Sequence, residues 1–277
     1  MHKTAALAYR KLGEASFSEV YAIGDVVLKI VPLRDEGADR RADAGDEEEE
    51  WSVPDESDVQ DVLREICITR EMGALCPGFV QLLKAYVVRG TYPEHLLKLW
   101  DEYDDARKSE SIRPDGFPAS QAYGVLVLPN LGTDLETFTF KPSTCWSQAS
   151  AIFWQVAAAL RTAEQKAQFE HRDLHWGQVL VRKDGAVGVR ATIIDLGLSR
   201  MRLGAGNAPL WAPIDDEVFE GGGDYQFDVY RMMRAHSGGE WATFRPLTNV
   251  MVRFSVLEFG DWRGGLTRMN SGCTTSR

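Results

Sequence analysis

No stretch of this 277-residue chain approaches the ~18 consecutive apolar residues of a membrane-crossing helix, so no helical span is expected. The opening MHKTAALAYRKL has neither an apolar core nor a small-residue cleavage site, which gives no expectation of secretion. Cysteine is scarce. The four, at 67, 76, 145 and 273, form no CxxC pair and no ligand cluster with the five histidines. A disulfide framework and a thiolate zinc site are therefore not expected, and reduced thiols of an intracellular protein fit best. His171 and His175 stand four apart, but no Glu follows His171 as in HExxH and the surrounding residues read as loop. A basic excess is missing too: the net charge is −10, so direct nucleic-acid binding is not expected. No internal repeat is present.

The charge has one address. Residues 35–58, DEGADRRADAGDEEEEWSVPDESD, hold twelve acidic residues against two Arg, which leaves 29 acidic and 29 basic residues elsewhere. Such a run reads as a solvated insertion, or as an acidic arm for a basic partner. The remainder, in a chain 44% hydrophobic and 10% aromatic, has the composition of a globular protein with a core of its own.

Periodicity predicts an α+β, two-lobed layout with a cleft between. The first 31 residues read as strands: SFSEVYAI alternates, Gly24-Asp25 turns and VVLKIV is a short β-branched run. Asp58 is placed to cap a helix over about 59–72, with Val59, Val62, Leu63 and Ile66 at helical spacing and Gly73 closing it. GFVQLLKAYVV and AYGVLVL read as further strands, with a polar loop at 101–120 between them. After PNLGTD the chain turns helical. SQASAIFWQVAAALRTAEQ buries Ile152, Phe153, Val156 and Leu160, and a strand pair, QVLVRK and VGVRATIID, turns at Lys183-Asp184-Gly185. Helices fit YQFDVYRMMR and LTNVMVRFSVLEF, and the residues from 261 read as a frayed tail. The division expected is a single domain over 1–277. It has a small β-rich lobe with one main helix (1–128), a hinge (129–133), a larger helical lobe (134–260) and the tail (261–277).

The chemistry is carried by HRDLHWGQVLV, residues 171–181. Transfer of a phosphoryl group from ATP needs positioning, and positive charge for the phosphate oxygens, more than covalent chemistry. Asp173 can accept a hydrogen bond from an attacking hydroxyl. Asp195, leaving a buried β-branched run at IIDLG, is suited to a metal bridging β- and γ-phosphates. Each Asp alone would read as a turn or cap residue; together, separated by a hairpin, they form a phosphotransferase pattern. Lys29 ends VVLK, where a strand lysine reaches the α- and β-phosphates. Glu65, mid-helix with apolar neighbours, is its expected partner, with Glu71 the rival. Val20, Val27 and Leu180 suit an adenine sandwich, although core packing explains them equally well. The phosphate-covering loop, GEASFSEV (13–20), keeps Gly13 but has Ala15 and Ser18 where glycines would stand, so backbone N–H groups have less freedom to approach phosphate. The metal-binding amide of such a loop is ordinarily Asn and here is Gln178. Its longer stem costs up to ~2 kcal/mol of rotamer entropy on ordering, which predicts weaker binding of a second metal.

These residues resemble the eukaryotic protein kinases and, more closely, the haspin kinases. FEHRDLHWGQVLV with its His175-Trp176-Gly177, GDYQFDVYRMM (223–233), DLETF (134–138) and LREICITREM around Glu65 carry the likeness, in order, from about residue 10 to 260. The resemblance implies a bilobal kinase fold with ATP and Mg²⁺ as cofactors, Leu128 as gatekeeper and Pro129, Asn130 and Leu131 as hinge, and His171 and Arg172 bracing the catalytic loop. It also implies a monomer in the nucleus and cytoplasm that phosphorylates the third residue, a threonine, of the histone-three tail. Asp134, Glu136 and Asp224 match the acidic positions that would receive the tail's basic residues; Asp134 could equally contact ribose or cap a turn, Glu136 be solvated surface, and Asp224 cap a helix. Three features depart from the family: Gln178, the Asp-Leu-Gly at the metal position, and Gly222 where a second acid is expected before Asp224.

Two rival readings use the same residues. A small-molecule phosphotransferase shares a His-x-Asp-Leu-His-like loop but would not need GDYQFDVY. A pseudokinase scaffold is suggested by Ala15, Ser18 and Gln178 and opposed by the presence of Lys29, Glu65, Asp173 and Asp195 together. Finally, residues 200–224 contain no Ser, Thr or Tyr, so phosphorylation inside that segment cannot switch the protein on, and packing is expected to hold it.

Overall fold

A computed structural model of the chain describes residues 9–15, 17–35, 54–185, 188–223 and 225–257. Among them, those up to Ile66 with Leu82–Asn130 form one compact unit, and those of Cys67–Gln81 and from Leu131 onward form a second. Most of the acidic run (36–53), Asp224 and residues 258–277 lie outside the described residues.

The first unit is built on a five-stranded antiparallel sheet. Its strands β1 (Tyr9–Ala15), β2 (Ser18–Ile23), β3 (Val26–Leu33), β4 (Lys84–Arg89) and β5 (Ala122–Pro129) lie in the order β1-β2-β3-β5-β4. The β2–β3 hairpin forms as its pattern predicts: Ile23 faces Val26, and Gly24 takes the turn at φ +59°. Alternation then sends side chains to opposite faces. Val31, Leu33 and Leu126 pack with Val62 of helix α1 (Val59–Leu75), while Tyr21, Ile30 and Tyr123 pack with Leu96 of helix α2 (Glu94–Arg107).

Helix α2 corrects two expectations, that this half carries one main helix and that 101–120 is a loop. Leu96 and Trp100 are spaced one turn apart and buried on the sheet, and the charged run Asp101–Arg107 is the outer continuation of the same helix. The helix ends at Lys108, in a left-handed conformation (φ +64°), whose N–H donates to the Asp104 carbonyl at 2.9 Å. A buried polar network ties α2 to the first hairpin. Lys11 Nζ is bonded to Glu19 and, at 2.7 Å, to Glu14. Glu19 Oε1 accepts from Ser111 Oγ (2.7 Å) and Trp100 Nε1 (3.2 Å).

Helix α1 starts where expected, with Gln60 N–H donating to Asp58 Oδ1 at 2.7 Å, but runs through Gly73 to Leu75. Glycine is needed there for space rather than as a stop: a Cβ would stand 2.5 Å from the Val80 carbonyl oxygen and 2.8 Å from Gln81 Cα. Similarly, GFVQLLKAYVV is a strand only from Lys84. Its first part crosses the second unit, where Ile193 N–H donates to the Gly78 carbonyl (2.8 Å) and Val80 N–H to the Ile193 carbonyl (3.0 Å).

The second unit combines a small antiparallel sheet, β6 (Thr133–Asp134), β7 (Val179–Asp184) and β8 (Gly188–Ile193), with helices α3 (Cys145–Ala167), α4 (Tyr225–Ser237) and α5 (Leu247–Leu257). Its core joins Ile68 and Met72 at the end of α1 to Ile152, Val156 and Leu160 of α3, Val179 and Ile193 of the sheet, and Val229 and Met233 of α4. The whole is the α+β, bilobal kinase-like fold expected from the motifs.

Candidate active site

The loop after α3 is pinned residue by residue. His171 is fully buried. Its N–H donates to Asn249 Oδ1 (2.9 Å), its ring Nε2 bonds the Ile194 carbonyl (3.0 Å), and its Nδ1 accepts from Asp173 N–H (3.4 Å). Nδ1 as acceptor leaves the proton on Nε2. Burial pulls the imidazole pKa down to about 4, against the opposing pull of the Ile194 carbonyl and Asp195, so the ring is neutral near pH 7. Arg172 is held at φ +70°, a conformation non-glycine residues rarely adopt, with its side chain 1% exposed. Its guanidinium donates to Glu170 Oε2 (3.3 Å) and to the carbonyls of Ala212 (3.4 Å) and Trp241 (2.5 Å). Glu170 in turn accepts from Arg245 N–H (2.8 Å) and Thr248 Oγ1 (2.9 Å).

Asp173 presents its carboxylate to helix α4. Its Oδ1 accepts from the Tyr230 hydroxyl and from Gln226 Nε2 (2.8 Å), and Gln226 Nε2 also lies 2.7 Å from the Tyr230 oxygen. Part of the residue's surface remains open, but protein surrounds most of it. That burial, reinforced by the charge of Asp195, raises the carboxyl pKa to about 7, with the two hydrogen bonds pulling the other way. The sequence reading assigned no role to Gln226 or Tyr230. The available signal was their i, i+4 spacing on a predicted helix, which places them on one face.

Gln178 and Asp195 are brought together by the β7–β8 pair. Ile193 faces Val179, and Ile194 N–H donates to the Gln178 carbonyl at 3.0 Å, one residue before Asp195. Asp195 sits at φ +56°, and its Oδ1 accepts from Gly197 N–H at 3.4 Å. The tight turn before Gln178 explains Gly177, where a Cβ would come within 2.8 Å of the His175 ring. Among the described residues no three His, Cys, Asp or Glu side chains cluster as a metal site. A site of one carboxylate and one amide oxygen suits Mg²⁺, which takes few protein ligands and completes its shell with phosphate oxygens and water.

In the first unit Lys29 Nζ lies 2.7 Å from Glu65 Oε1, with both side chains about nine-tenths buried, whereas Glu71 takes Arg70 at 3.0 Å. Val20 faces Lys29 across the hairpin and Val27 faces Leu128 across β3–β5; all three apolar side chains are partly exposed. Gly13 lies at a bulge opposite Val20. Ser18 is buried, its hydroxyl donating to the Ala15 carbonyl at 3.1 Å, and Phe17 at the hairpin tip is 56% exposed at φ +55°. Asn130 N–H donates to the Asp25 carbonyl at 2.8 Å. In the second unit Leu131 follows directly, and Asp134 faces Leu180 across β6–β7. Asp134 Oδ1 accepts from Thr137 N–H (2.7 Å), the turn-capping use, and Glu136 is exposed.

Comparison with known proteins agrees with this arrangement. The family model described as "Haspin like kinase domain" matches residues 2–254. A serine/threonine-protein kinase haspin homolog from Schizosaccharomyces pombe is 32% identical over 287 residues, covering 90% of this chain and 54% of that protein. The haspin homolog of Drosophila melanogaster is 34% identical over 276 residues (87% of this chain, 46% of the relative). The haspin of Mus musculus is 33% identical over 268 residues (87% and 34%). The chain thus spans about half or less of the length of these curated relatives.

Proposed function

The chain belongs to the haspin-like kinase family, and from that premise we propose that it is an ATP-dependent serine/threonine protein kinase whose acceptor is a threonine near the amino terminus of the histone-three tail. The observation that carries the reading is Asp173, a carboxylate fixed from α4 on a loop pinned at His171 and Arg172. Asp173 orients the acceptor hydroxyl, and its raised proton affinity suits it to receive the hydroxyl proton as the new O–P bond forms and the bond from the γ-phosphorus to the bridging oxygen of ADP breaks. Lys29, held by Glu65, reaches the α- and β-phosphates. Gln178 and Asp195 are the residues that would hold Mg²⁺, which when bound neutralises the charge on the β- and γ-phosphate oxygens. In the first unit, Val20, Val27 and Leu128 are the partly exposed apolar side chains we assign to the adenine, with Asn130 next to them in the chain.

The acceptor rests on the family. Glu136, exposed in the structure, and Asp224 are the acids we assign to the basic residues beside the threonine, with Asp134 contributing through the oxygen not engaged by Thr137. A histone substrate in mitotic chromatin would place the protein in the nucleus. A weak or inactive scaffold is the second reading. It is favoured by Gln178 and by Ser18, whose hydroxyl is turned onto Ala15 rather than toward a phosphate.

The test is transfer of labelled phosphate from Mg·ATP to a peptide copying the start of the histone-three tail, beside Asp173→Asn, with ATP-dependent thermal stabilisation measured in parallel. Transfer that disappears in Asp173→Asn supports the proposal. ATP binding without transfer moves the acceptor elsewhere, and neither binding nor transfer establishes the scaffold.

A further inference from the structure

We propose that Tyr230 and Gln226 are positioning residues that close one oxygen of Asp173, Oδ1, and so assign the other, Oδ2, to the acceptor hydroxyl. This rests on reading Asp173 as the group that orients the acceptor.

A carboxylate on a short stem turns about its last bond with little resistance, and its two oxygens then exchange places. An isolated Asp would therefore present either oxygen, in a range of planes, to an incoming hydroxyl. In this protein two donors converge on the same oxygen: the Tyr230 hydroxyl and Gln226 Nε2, the latter at 2.8 Å. The two are themselves joined at 2.7 Å, which makes a closed triangle of Oδ1, phenol oxygen and amide nitrogen. Bonds from neutral donors to an ionised acceptor are among the stronger ones in proteins, and two from different directions fix the plane of the group. The other end of the residue is fixed as well, by Asp173 N–H on His171 Nδ1 at 3.4 Å. Among the described residues no hydrogen bond reaches Oδ2.

The donors themselves are well supported. Tyr230 and Gln226 lie one helical turn apart on α4. Tyr230 is 5% exposed, and its neighbours Val229 and Met233 are part of the second unit's core. The Phe227 ring lies 6.4 Å from the Tyr230 ring. A phenol on a packed helix can shift little, so the carboxylate it holds inherits the placement of α4. The device differs from a charged partner. A lysine or arginine at Oδ1 would hold the plane equally well but lower the carboxylate's affinity for a proton. The phenol and the amide orient it while adding no positive charge, so they reduce the basicity of Oδ2 less than a cation would.

Removing the phenol oxygen alone, with Tyr230→Phe, retains the ring and its packing. Restored rotation of the carboxylate is expected to reduce kcat by ~10-fold or more, since small misplacements of a reacting group can cost ~10²-fold. KM for ATP and the ATP-dependent rise in Tm should stay close to wild type, because no ATP contact changes. Gln226→Leu, which removes the second donor, should reproduce the pattern more weakly, and serves in its place if Tyr230→Phe does not fold. Wild-type rates toward the histone-three peptide and toward water (ATP hydrolysis) are measured first. A wild type with neither activity ends the kinase reading and this inference with it. A wild type with either activity, and variants whose kcat matches it, overturns the inference alone. A fall in kcat accompanied by an equal loss of ATP affinity and Tm also overturns it, since that marks a merely structural contact.

Discussion

Replacing Asp173 by Asn should stabilise the nucleotide-free, metal-free protein, and should do so more at alkaline than at acid pH. The carboxyl titrates near pH 7 in the fold against an ordinary value of 3.8, chiefly because burial opposes its charge and Asp195 repels it. A gap of about three units corresponds to ~4 kcal/mol of penalty once both folded and unfolded forms are ionised. The sign follows from which state binds the proton. Below about pH 4 the carboxyl is protonated in both states and costs nothing. Between about pH 4 and 7 only the folded form keeps the proton, so stability falls as pH rises, and above about pH 7 the full penalty stands. Asn cannot ionise, and its carbonyl oxygen can still accept from Tyr230 and Gln226. Near pH 5.5 the penalty is already ~2 kcal/mol, so the advantage of Asp173→Asn over wild type should be larger at pH 8 by ~2 kcal/mol. At roughly 2–4 °C per kcal/mol that is about 4–8 °C in the difference between the two Tm values. Circular-dichroism melts of both proteins in chelator at the two pH values measure it directly. Any titration shared by the two proteins cancels in the comparison. An equal advantage at both pH values, or a larger one at the acid value, would refute the electrostatic account of Asp173.

Three further outcomes follow from particular contacts. Glu65→Gln should lower kcat/KM for ATP by ~10-fold by loosening Lys29, while Glu71→Gln, whose carboxylate pairs with Arg70, should stay within about twofold. Gly73→Ala gains ~1 kcal/mol of helix propensity but forces a methyl against the Val80 carbonyl; overpacking of this kind costs ~1–3 kcal/mol, so urea unfolding should show net destabilisation. Gln178→Asn should reduce the Mg²⁺ concentration needed for half-maximal transfer, because the shorter stem loses less rotamer entropy, of the ~2 kcal/mol scale, on ordering; an unchanged or higher requirement would remove Gln178 from the metal site.

Locally encoded parts of the fold were legible. The hairpin turn at Gly24, the cap at Asp58 and the long apolar stripe of α3 each depend on residues within a few positions of one another, and all form, except that Phe153 is only half-buried beside the stripe of Ile152, Val156 and Leu160. What was missed depends on distant partners. Helix α2 has a short apolar stripe and a long charged flank, and its helicity is secured by the sheet face it covers, which the charge-rich sequence of 101–107 does not display. Gly73 was read by the local rule that glycine ends helices, but the local propensity is overruled by close approach of the chain at Val80, seven residues on. The strand reading of GFVQLL failed for the same reason: an apolar run can be buried by a bridge to β8 as well as by a sheet of its own.

The site divides along the same line. Asp173, Asp195, Lys29 and Glu65 stand out as candidates because phosphoryl transfer restricts which residue types can stand at a given spacing, and of these the Lys29–Glu65 pair forms in the structure. The donors from α4 were not, since they meet Asp173 from more than fifty positions away and only the packing of the second unit brings them there. The segment 200–224 joins the two kinds of information. Its lack of Ser, Thr and Tyr means that no phosphate can form within it. Arg172, the cation beside Asp173, has each of its three guanidinium nitrogens donating, one of them to Ala212 inside that very segment. Main-chain bonds between Met201 and Leu210 and between Glu170 and Arg200 close the same stretch, at 2.8–2.9 Å. A buried guanidinium left without acceptors would destabilise the loop it serves, so a chain that cannot supply phosphate must supply carbonyls and a carboxylate instead. Arg172 reaches these acceptors from a left-handed backbone at φ +70°, so the segment that supplies the Ala212 carbonyl is tied to the residue next to Asp173.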